Sequence, residues 1–360
     1  MTARVAINGF GRIGRAAFKI LLERDDCEVV AINDLTNPRA LAYLLQHDTA
    51  YGNYDKEVYV VEDGKEVHVS DFRGEKDFFT ITAKETFLII DKKKIQIVAE
   101  PDPSKLPWKK LEIDVVLECT GRFVKDGASL AHIDAGAKKV VVSAPTKGTG
   151  DIQTFVKGVN DSQYLGQNVL SNASCTTNCT APVVSVLHAK FGVKKAMMTT
   201  VHALTTGQNI VDGPPNPRKP DLRRARAGWK NMTPTSTGAA IATTKTIPDL
   251  EGKFDGVAIR VPVITGSITD VTMLLEKDVT VEEINAAYED AKKNPIYKNV
   301  LDATYEPIVS SDIIGSKYSA IVDLNLTKVV DGDLVKVMAW YDNEMGYSYR
   351  LVEMALMTIA

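Results

Sequence analysis

The first half of the chain alternates short apolar runs with helix-like segments. Apolar, β-branched runs predict buried strands at residues 5–7, 28–32, 114–118 and 139–142. Amphipathic or helix-forming stretches at 16–23 and 128–137 come between them. This β-turn-α-β order is typical of an α/β domain with a doubly wound parallel sheet.

The pattern changes between residues 56 and 98. Short alternating segments at 58–61, 66–69 and 87–90 predict antiparallel hairpins, with a turn at Asp63-Gly64. We expect these hairpins to form an insertion, at about residues 56–88, at the edge of the sheet.

Strands dominate the second half. Runs at 258–263, 269–276 and 318–326, with a helix at 281–292, predict an α+β domain with a mixed or antiparallel sheet. Residues 207–230 are predicted to form a long ordered loop. The tail carries apolar residues on one helical face and should dock as a helix. We therefore predict a first domain of residues 1–174 plus 343–360 and a catalytic domain of residues 175–342.

Composition narrows the class of protein. A chain of 360 residues suits two domains, and a net charge of -3 provides no global basic field for nucleic acid or an anionic membrane. Four cysteines without a C-x-x-C pair indicate neither a disulfide scaffold nor a zinc or other metal site. No apolar signal core, membrane-length apolar run or C-terminal targeting motif is recognisable. We expect a cytoplasmic protein without a membrane partner.

A glycine-rich segment follows the first predicted strand. Asn8-Gly9-Phe10-Gly11-Arg12-Ile13-Gly14 is a G-x-G-x-x-G motif between a strand and a helix, typical of a Rossmann-type dinucleotide site. Gly9 permits the turn, Gly11 a close approach of the pyrophosphate, and Gly14 helix–strand packing. Asp34 lies about 20 residues further on, where a carboxylate binds the adenosine ribose hydroxyls and repels a 2′-phosphate. This spacing favours NAD over NADP, and a turn-forming Asp is the competing interpretation.

A second cluster contains a candidate nucleophile. Small polar residues at 171–182 lead into an apolar helical stretch, which predicts that Cys175 lies near a helix N-terminus. The free amides and the dipole there favour a thiolate. The cluster by itself leaves two interpretations open, a catalytic thiol and a small buried residue.

Several long motifs together resemble the glyceraldehyde-3-phosphate dehydrogenase family, from Val5 almost to the C-terminus. They are residues 6–15, 119–123, 171–182, 233–240 and 340–348. The resemblance implies NAD as cofactor, glyceraldehyde 3-phosphate and inorganic phosphate as substrates, and a homotetramer. It also implies a covalent mechanism in which a thiohemiacetal is oxidised to a thioester.

The resemblance assigns roles residue by residue. Cys175 is the nucleophile and His202 the base. The site of the attacking phosphate comprises Ser174, Thr176, Thr237 and Gly238, and that of the substrate's own phosphate comprises Thr205 and Arg260. Asn343 holds the nicotinamide carboxamide, and Tyr347 lies beside the ring. The remaining cofactor contacts that it implies are Asn8, Gly9, Phe10, Gly11, Arg12, Ile13, Gly14, Asp34, Thr120 and Ser143.

Three features depart from the family pattern. The segment 56–88 is longer than expected, including residues 71–77. The centre of the long loop, residues 214–220, is unusual and basic, so the preference for NAD rests chiefly on Asp34. Gly207 stands where many relatives carry a hydroxyl or carboxylate. Cys179, one helical turn after Cys175, is interpreted as a packed residue rather than a redox partner.

Two other functions remain open at this point. A related aldehyde oxidiser, such as erythrose-4-phosphate dehydrogenase, would share Cys175 and His202. The intact residues for the attacking phosphate argue against it. A catalytically silent NAD-binding or nucleic-acid-binding member of the fold is the other alternative. The presence of Cys175, His202 and Arg260 argues against a loss of chemistry.

Overall fold

The computed structural model describes residues 2–71, 83–217 and 220–360. They form two compact units. The first comprises Met1–Gln153, Leu165–Asn172 and Leu351–Ala360, and the second Thr154–Tyr164 and Ala173–Arg350. Relative to the predicted domains, the segment Thr154–Tyr164 belongs to the second unit, and that unit extends to Arg350.

The described part of the chain contains the following regular elements. The helices are α1 (Arg12–Leu22), α2 (Pro38–Gln46), α3 (Ala131–Asp134), α4 (Cys175–Phe191), α5 (Ala239–Thr244), α6 (Val281–Ala291) and α7 (Met345–Met357). The strands are β1 (Ala3–Asn8), β2 (Cys27–Asn33), β3 (His47–Asp48), β4 (Gly52–Asn53), β5 (Val58–Glu62), β6 (Lys65–His68), β7 (Thr86–Ile90), β8 (Lys93–Val98), β9 (Val115–Glu118), β10 (Lys139–Val142), β11 (Val169–Ser171), β12 (Val193–His202), β13 (Thr233–Ser236), β14 (Phe254–Arg260), β15 (Ser267–Leu275), β16 (Leu301–Thr304), β17 (Ala320–Asp323), β18 (Lys328–Val330) and β19 (Leu334–Tyr341). None of these helices is long and apolar enough to cross a bilayer.

The first unit is built on a sheet in the order β11-β10-β9-β1-β2-β8-β7-β5-β6. Neighbouring strands from β11 to β8 pair in parallel. Their near-continuous β-branched sequences are buried, as expected for a sheet covered on both faces. The predicted α/β fold with a doubly wound parallel sheet is therefore confirmed.

Antiparallel hairpins extend this sheet at one edge. β5 pairs with β6 and β7, and β7 pairs with β8, all antiparallel. The turn between β5 and β6 has left-handed backbone at Asp63 (φ 47°) and Gly64 (φ 82°), which matches the twist of a tight hairpin. The hairpins agree with the sequence pattern, whereas residues 72–82 of the expected insertion lie outside the described residues.

The helix predicted at residues 128–137 is shorter in the structure. A 3₁₀ turn at Ala128–Leu130 leads into α3, which ends at Asp134. Gly136 explains the early end because it adopts φ 102° and packs against Lys109. A Cβ on Gly136 would lie 2.5 Å from the Cβ of Lys109. A glycine in left-handed conformation just after the last turn is a common helix end, and it stops this run.

The second unit contains a mixed sheet in the order β13-β14-β12-β15-β19-β17-β16, and β18 pairs with β19. β14 is parallel to β12, and β15 is antiparallel to both β12 and β19. Helices α4 and α6 contribute buried apolar residues to the core on this sheet. The hydroxyl of Tyr288 on α6 donates to the carbonyl of Val183 on α4 at 3.0 Å. The mixed sheet expected for this domain is confirmed.

Candidate active site

Glycines shape the loop after β1 in three different ways. Gly9 has φ 95°, and a Cβ on it would lie 2.8 Å from the backbone nitrogen of Thr120. A Cβ on Gly14 would lie 2.1 Å from the carbonyl oxygen of Gly9. At Gly11 the same position meets no atom within 4 Å. The loop is thus closely packed at Gly9 and Gly14 and open at Gly11. Helix α1 begins directly after Gly11, and the N–H groups of its first turn have no partner inside the helix.

Asp34 borders this loop from the end of β2. Its Oδ2 accepts a hydrogen bond from the backbone N–H of Phe10 at 2.7 Å, and its Oδ1 accepts one from Thr36 at 2.8 Å. Each carboxylate oxygen can accept a second hydrogen bond. The side chain therefore forms a turn and also remains able to accept from ribose hydroxyls.

Other predicted cofactor residues follow the neighbouring parallel strands. Thr120 comes after β9 and Ser143 after β10, and the Ser143 N–H donates to the carbonyl of Glu118 at 2.9 Å. Because β10, β9, β1 and β2 are adjacent and parallel, these residues share one edge of the sheet. Phe10 differs, since its ring is fully buried against Phe18 and only its backbone borders the loop.

The guanidinium of Arg12 already has partners in the first unit. Its Nη1 lies 2.8 Å from Oδ2 of Asp48, and its charge lies 5.5 Å above the ring of Tyr51. Arg12 therefore forms part of the wall of the loop. The side chain of Ile13 is half-buried in the first turn of α1.

Cys175 is the first residue of α4 in the second unit, as the sequence predicts. Ser174 caps the helix, its Oγ accepting from the N–H of Thr177 at 3.1 Å. Ala173, immediately before the cap, has φ 54°, a left-handed conformation that costs an alanine about 1–2 kcal/mol. The hydroxyl of Tyr347 donates to the Ala173 carbonyl at 3.1 Å and helps to hold this turn.

His202, the last residue of β12, faces the thiol. Its Nε2 lies 3.4 Å from Sγ of Cys175, and its Nδ1 lies 2.7 Å from the carbonyl oxygen of Ala203. Arg260 also donates to this carbonyl, from Nη1 at 3.0 Å, and Nη1 lies 2.9 Å from Nδ1. A carbonyl only accepts, so a proton on Nδ1 satisfies the shortest contact, the one to Ala203. Nη1 of Arg260, which can only donate, then bonds the same carbonyl and not Nδ1. Nε2 is then the free acceptor that faces the thiol.

Burial and charge together set the electrostatics of this pair. Burial, reinforced by the charge of Arg260, lowers the pKa of His202 to about 3. Burial raises the pKa of the Cys175 thiol, and Arg260 acts in the opposite direction. Desolvation therefore outweighs the effect that a helix N-terminus has on the thiol. The imidazole is therefore neutral at physiological pH.

The predicted phosphate residues occupy different positions in the second unit. Arg260 contacts the imidazole directly because β14 pairs with β12 in the register that places it beside His202. The Thr176 hydroxyl is buried and hydrogen-bonded to the hydroxyl of Tyr341 at 2.9 Å. Thr205, on the loop after β12, is exposed. The positions after β13 are open, with Gly238 exposed and Thr237 half-buried.

Sequence reasoning did not single out Tyr341. Its buried hydroxyl lies 2.9 Å from Oγ1 of Thr176 and 2.8 Å from Oγ1 of Thr200, and its ring contacts the His202 imidazole edge to face at 6.0 Å. It therefore supports both the helix start and the base. Its position two residues before Asn343, inside a motif that carries the family resemblance, was the available signal.

Asn343 has a fixed side-chain orientation. Its Oδ1 accepts from the N–H of Gly266 at 3.1 Å and from the hydroxyl of Ser267 at 2.9 Å. These donors identify the oxygen end of the amide and leave Nδ2 as the donor end. This arrangement suits a residue that binds a carboxamide oxygen.

All four cysteines are thiols. Cys179 is fully buried, with its Sγ 3.8 Å from the carbonyl of Ala339, which fits the packed residue that the sequence suggested. Burial raises the pKa values of Cys119 and Cys179, and that of Cys27 to about 11. The described residues contain no group of three His, Cys, Asp or Glu side chains arranged to hold a metal.

A dinucleotide-binding fold in one unit, and a half-buried cysteine thiol beside a buried imidazole in the other, define a class of protein. It is a nicotinamide-dependent dehydrogenase. Residues 3–77 and 74–126 match the family described as glyceraldehyde 3-phosphate dehydrogenase, NAD binding domain. Residues 174–343 match its C-terminal domain. The chain belongs to the glyceraldehyde-3-phosphate dehydrogenase family, which confirms the resemblance seen in the sequence.

Curated relatives are similar over nearly the whole chain. Glyceraldehyde-3-phosphate dehydrogenase of Clostridium acetobutylicum is 49% identical over 97% of this chain and 96% of its own length. The enzyme of Borreliella burgdorferi is 46% identical over 98% of both chains. That of Geobacillus stearothermophilus is 46% identical over 99% of this chain and 98% of its own.

Proposed function

We propose that this chain oxidises glyceraldehyde 3-phosphate with NAD and transfers the acyl group to inorganic phosphate. The products are 1,3-bisphosphoglycerate and NADH, as in glycolysis and gluconeogenesis. The observation that carries the proposal is the 3.4 Å contact between Cys175 Sγ and an Nε2 of His202 that is free to accept. The relatives with nearly full-length similarity bear the name of this activity.

The cofactor fits the residues present. In the first unit, the open surface at Gly11 and the carboxylate of Asp34 are groups that a dinucleotide requires for its pyrophosphate and ribose. In the second unit, the amide of Asn343 is oriented with its Nδ2 as a donor, which suits a carboxamide. When bound, NAD accepts the hydride that leaves the substrate. Asp34 favours NAD over NADP because a 2′-phosphate beside its carboxylate would be repelled.

The thiol chemistry follows from the geometry of the second unit. His202 takes the proton from Cys175, the thiolate attacks the aldehyde carbon, and the imidazolium returns the proton to the resulting alkoxide, which gives a thiohemiacetal and a neutral imidazole. His202 then accepts the hydroxyl proton as the substrate is oxidised to a thioester. The N–H of Cys175, at the start of α4, and the protonated imidazole face the developing oxyanion. Inorganic phosphate attacks the thioester and releases the acyl phosphate and the thiolate.

Two phosphate groups need separate binding residues. Arg260, with Thr205, is proposed to bind the phosphate of the substrate, since a guanidinium suits a dianion. Ser174, Thr176, Thr237 and Gly238 are proposed to hold the attacking phosphate through hydroxyl and N–H groups. The structure gives Thr176 a rigid setting through Tyr341.

The same proposal assigns a role to each domain. Residues 1–174 and 343–360 bind NAD, with a hairpin insertion, and residues 175–342 carry the catalytic residues.

Homotetramer formation is supported by apolar residues on the side of the second sheet away from α4. Among them Met197 is 69% and Val257 51% exposed. Faces of this kind are typical of subunit interfaces. A thiol-dependent enzyme with four free cysteines suits the reducing cytoplasm.

The absorbance of NADH tests the reaction directly. Glyceraldehyde 3-phosphate and NAD are added with and without inorganic phosphate. Sustained turnover that requires phosphate supports acyl transfer to phosphate. Sustained turnover without phosphate would show that water, and not phosphate, accepts the acyl group. The absence of NADH under both conditions would overturn the proposal.

A further inference from the structure

A second imidazole is buried in the first unit, and the proposed chemistry does not use it. His132 is fully inaccessible between Trp108 and Glu118. Trp108 Nε1 lies 2.9 Å from His132 Nδ1, and His132 Nε2 lies 3.0 Å from Oε2 of Glu118. An indole N–H can only donate, so Nδ1 accepts and the proton of the neutral imidazole is on Nε2. His132 therefore donates a hydrogen bond to Glu118.

The orientation of Asn8 follows from a similar chain of contacts. The side chain of Asn33 pairs with the backbone of Glu100, its Nδ2 donating to the carbonyl at 2.9 Å and its Oδ1 accepting from the N–H at 2.9 Å. Nδ2 of Asn33 also donates to Oδ1 of Asn8 at 2.7 Å. The other end of Asn8 is thus Nδ2, which donates to Oε2 of Glu118.

The other oxygen of Glu118 binds Thr120. Oε1 accepts from the Thr120 N–H at 2.8 Å and from its hydroxyl, which itself accepts from the N–H of Arg122 at 3.0 Å. Four neutral donors therefore converge on one carboxyl group that is 1% exposed. A protonated carboxyl would direct a further hydrogen at one of these donors, so Glu118 is a buried carboxylate. Burial of a charge is costly, and the four hydrogen bonds offset that cost.

We propose that Glu118 is a positioning residue for NAD, acting through Asn8 and Thr120, with His132 and Trp108 holding its hydrogen-bond pattern. Asn8 begins the glycine loop, and Thr120 lies directly beneath Gly9. The carboxylate thus joins the two loops that the proposed function assigns to the cofactor, on which this inference rests. Cofactor affinity depends on Glu118, whereas the chemistry at Cys175 does not.

Glu118→Gln tests this role because it preserves size and removes the charge. Its amide nitrogen faces the N–H groups of Asn8 and His132, so we expect the Kd for NAD to rise about tenfold. The KM for NAD rises with it, while kcat at saturating NAD stays within about twofold. Glu62→Gln is the matched control, since Glu62 is a carboxylate of the same unit that binds Arg39 away from the loop. An unchanged Kd in Glu118→Gln would overturn the proposal.

Trp108→Phe distinguishes positioning from simple packing. Without the indole donor, the His132 proton can move to Nδ1, and Nε2 can accept from the amide that replaces Glu118. The double variant should therefore bind NAD more tightly than Glu118→Gln alone. A purely structural role predicts that the two losses add, and weaker binding by the double variant would count against the proposal.

A second variant and a binding measurement keep the test of Glu118 independent of misfolding and of the proposed reaction. If Glu118→Gln does not fold, His132→Asn removes one of the four donors in the presence of the carboxylate and should also weaken NAD binding. An unchanged Kd in that variant would overturn the inference. Calorimetric Kd values need no turnover, so the inference is tested separately from the reaction. Failure of the unmodified protein to form NADH would overturn the proposed function instead.

Discussion

Each of the two units buries a histidine, and the two imidazoles carry their proton on different nitrogens. In the first unit, Trp108 donates to Nδ1 of His132, so Nε2 carries the proton and donates to Glu118. In the second unit, Nδ1 of His202 faces the Ala203 carbonyl, so Nε2 is bare and faces Cys175. The group behind the ring therefore decides whether an imidazole holds a fixed hydrogen bond or accepts a proton.

The largest expected effect comes from removing the thiol. Cys175→Ser should lower phosphate-dependent NADH formation about a thousandfold or more, because a serine hydroxyl is a far weaker nucleophile than a thiolate at neutral pH. The Kd for NAD, measured by calorimetry, should remain unchanged because the substitution alters none of the residues proposed to bind the dinucleotide. Full turnover by this variant would remove Cys175 from its role.

The same substitution at both histidines tests the comparison itself. Asparagine can occupy the position of Nδ1 but does not reach that of Nε2. His202→Asn should lower kcat about 10²- to 10⁴-fold with little change in the KM for NAD. His132→Asn should raise the KM for NAD and preserve kcat at saturation. Steady-state kinetics on both variants measure kcat and the KM for NAD. Equal effects of the two substitutions on kcat would show that His132 and His202 do not have different roles.

A pH profile of thiol alkylation tests how Arg260 affects the pKa values of Cys175 and His202. Burial raises the pKa of Cys175 and Arg260 opposes this shift, whereas burial and then Arg260 lower the pKa of His202. In Arg260→Gln both pKa values should rise, so alkylation of Cys175 by iodoacetamide should begin at a pH on the order of one unit higher. The KM for glyceraldehyde 3-phosphate should also rise. Arg39→Gln in the first unit is the control, and an alkylation profile that matches the unmodified protein would refute the electrostatic role of Arg260.

The smallest expected effect is on stability, and it comes from the hydrogen bond that holds the turn before α4. Tyr347→Phe removes the hydrogen bond to the Ala173 carbonyl and should lower the free energy of unfolding by about 1 kcal/mol. Urea denaturation measures the change, with Tyr43→Phe, on an exposed side chain, as the control. Equal midpoints for the two variants would show that this hydrogen bond does not stabilise the turn.

Local pattern predicted most of the regular structure. The turn at Asp63-Gly64, the helix near residues 281–292 and the start of α4 at Cys175 agree with the sequence because each has its own local signal. The end of α3 was predicted too late, although Gly136, with φ 102°, is a local stop signal that the sequence contains.

The sites divide in the same way. The glycine loop and Cys175 were recognisable because their function depends on a backbone conformation that short motifs encode. Tyr341 and Glu118 were not recognised, because their partners come from distant strands and only the folded sheet brings them together. Their contacts span 165 and 110 residues of chain, respectively.

The register between β12 and β14 limits how this protein can change over evolutionary time. Residue by residue, the ladder places Ala196 beside Phe254 at one end and His202 beside Arg260 at the other. One residue inserted within either strand would turn the following side chains to the opposite face of the sheet. Insertions inside these strands are therefore selected against, whereas the loop at 207–230 can lengthen outside the ladder. Homologues should therefore differ in the length of that loop before they differ in the pairing of His202 with Arg260.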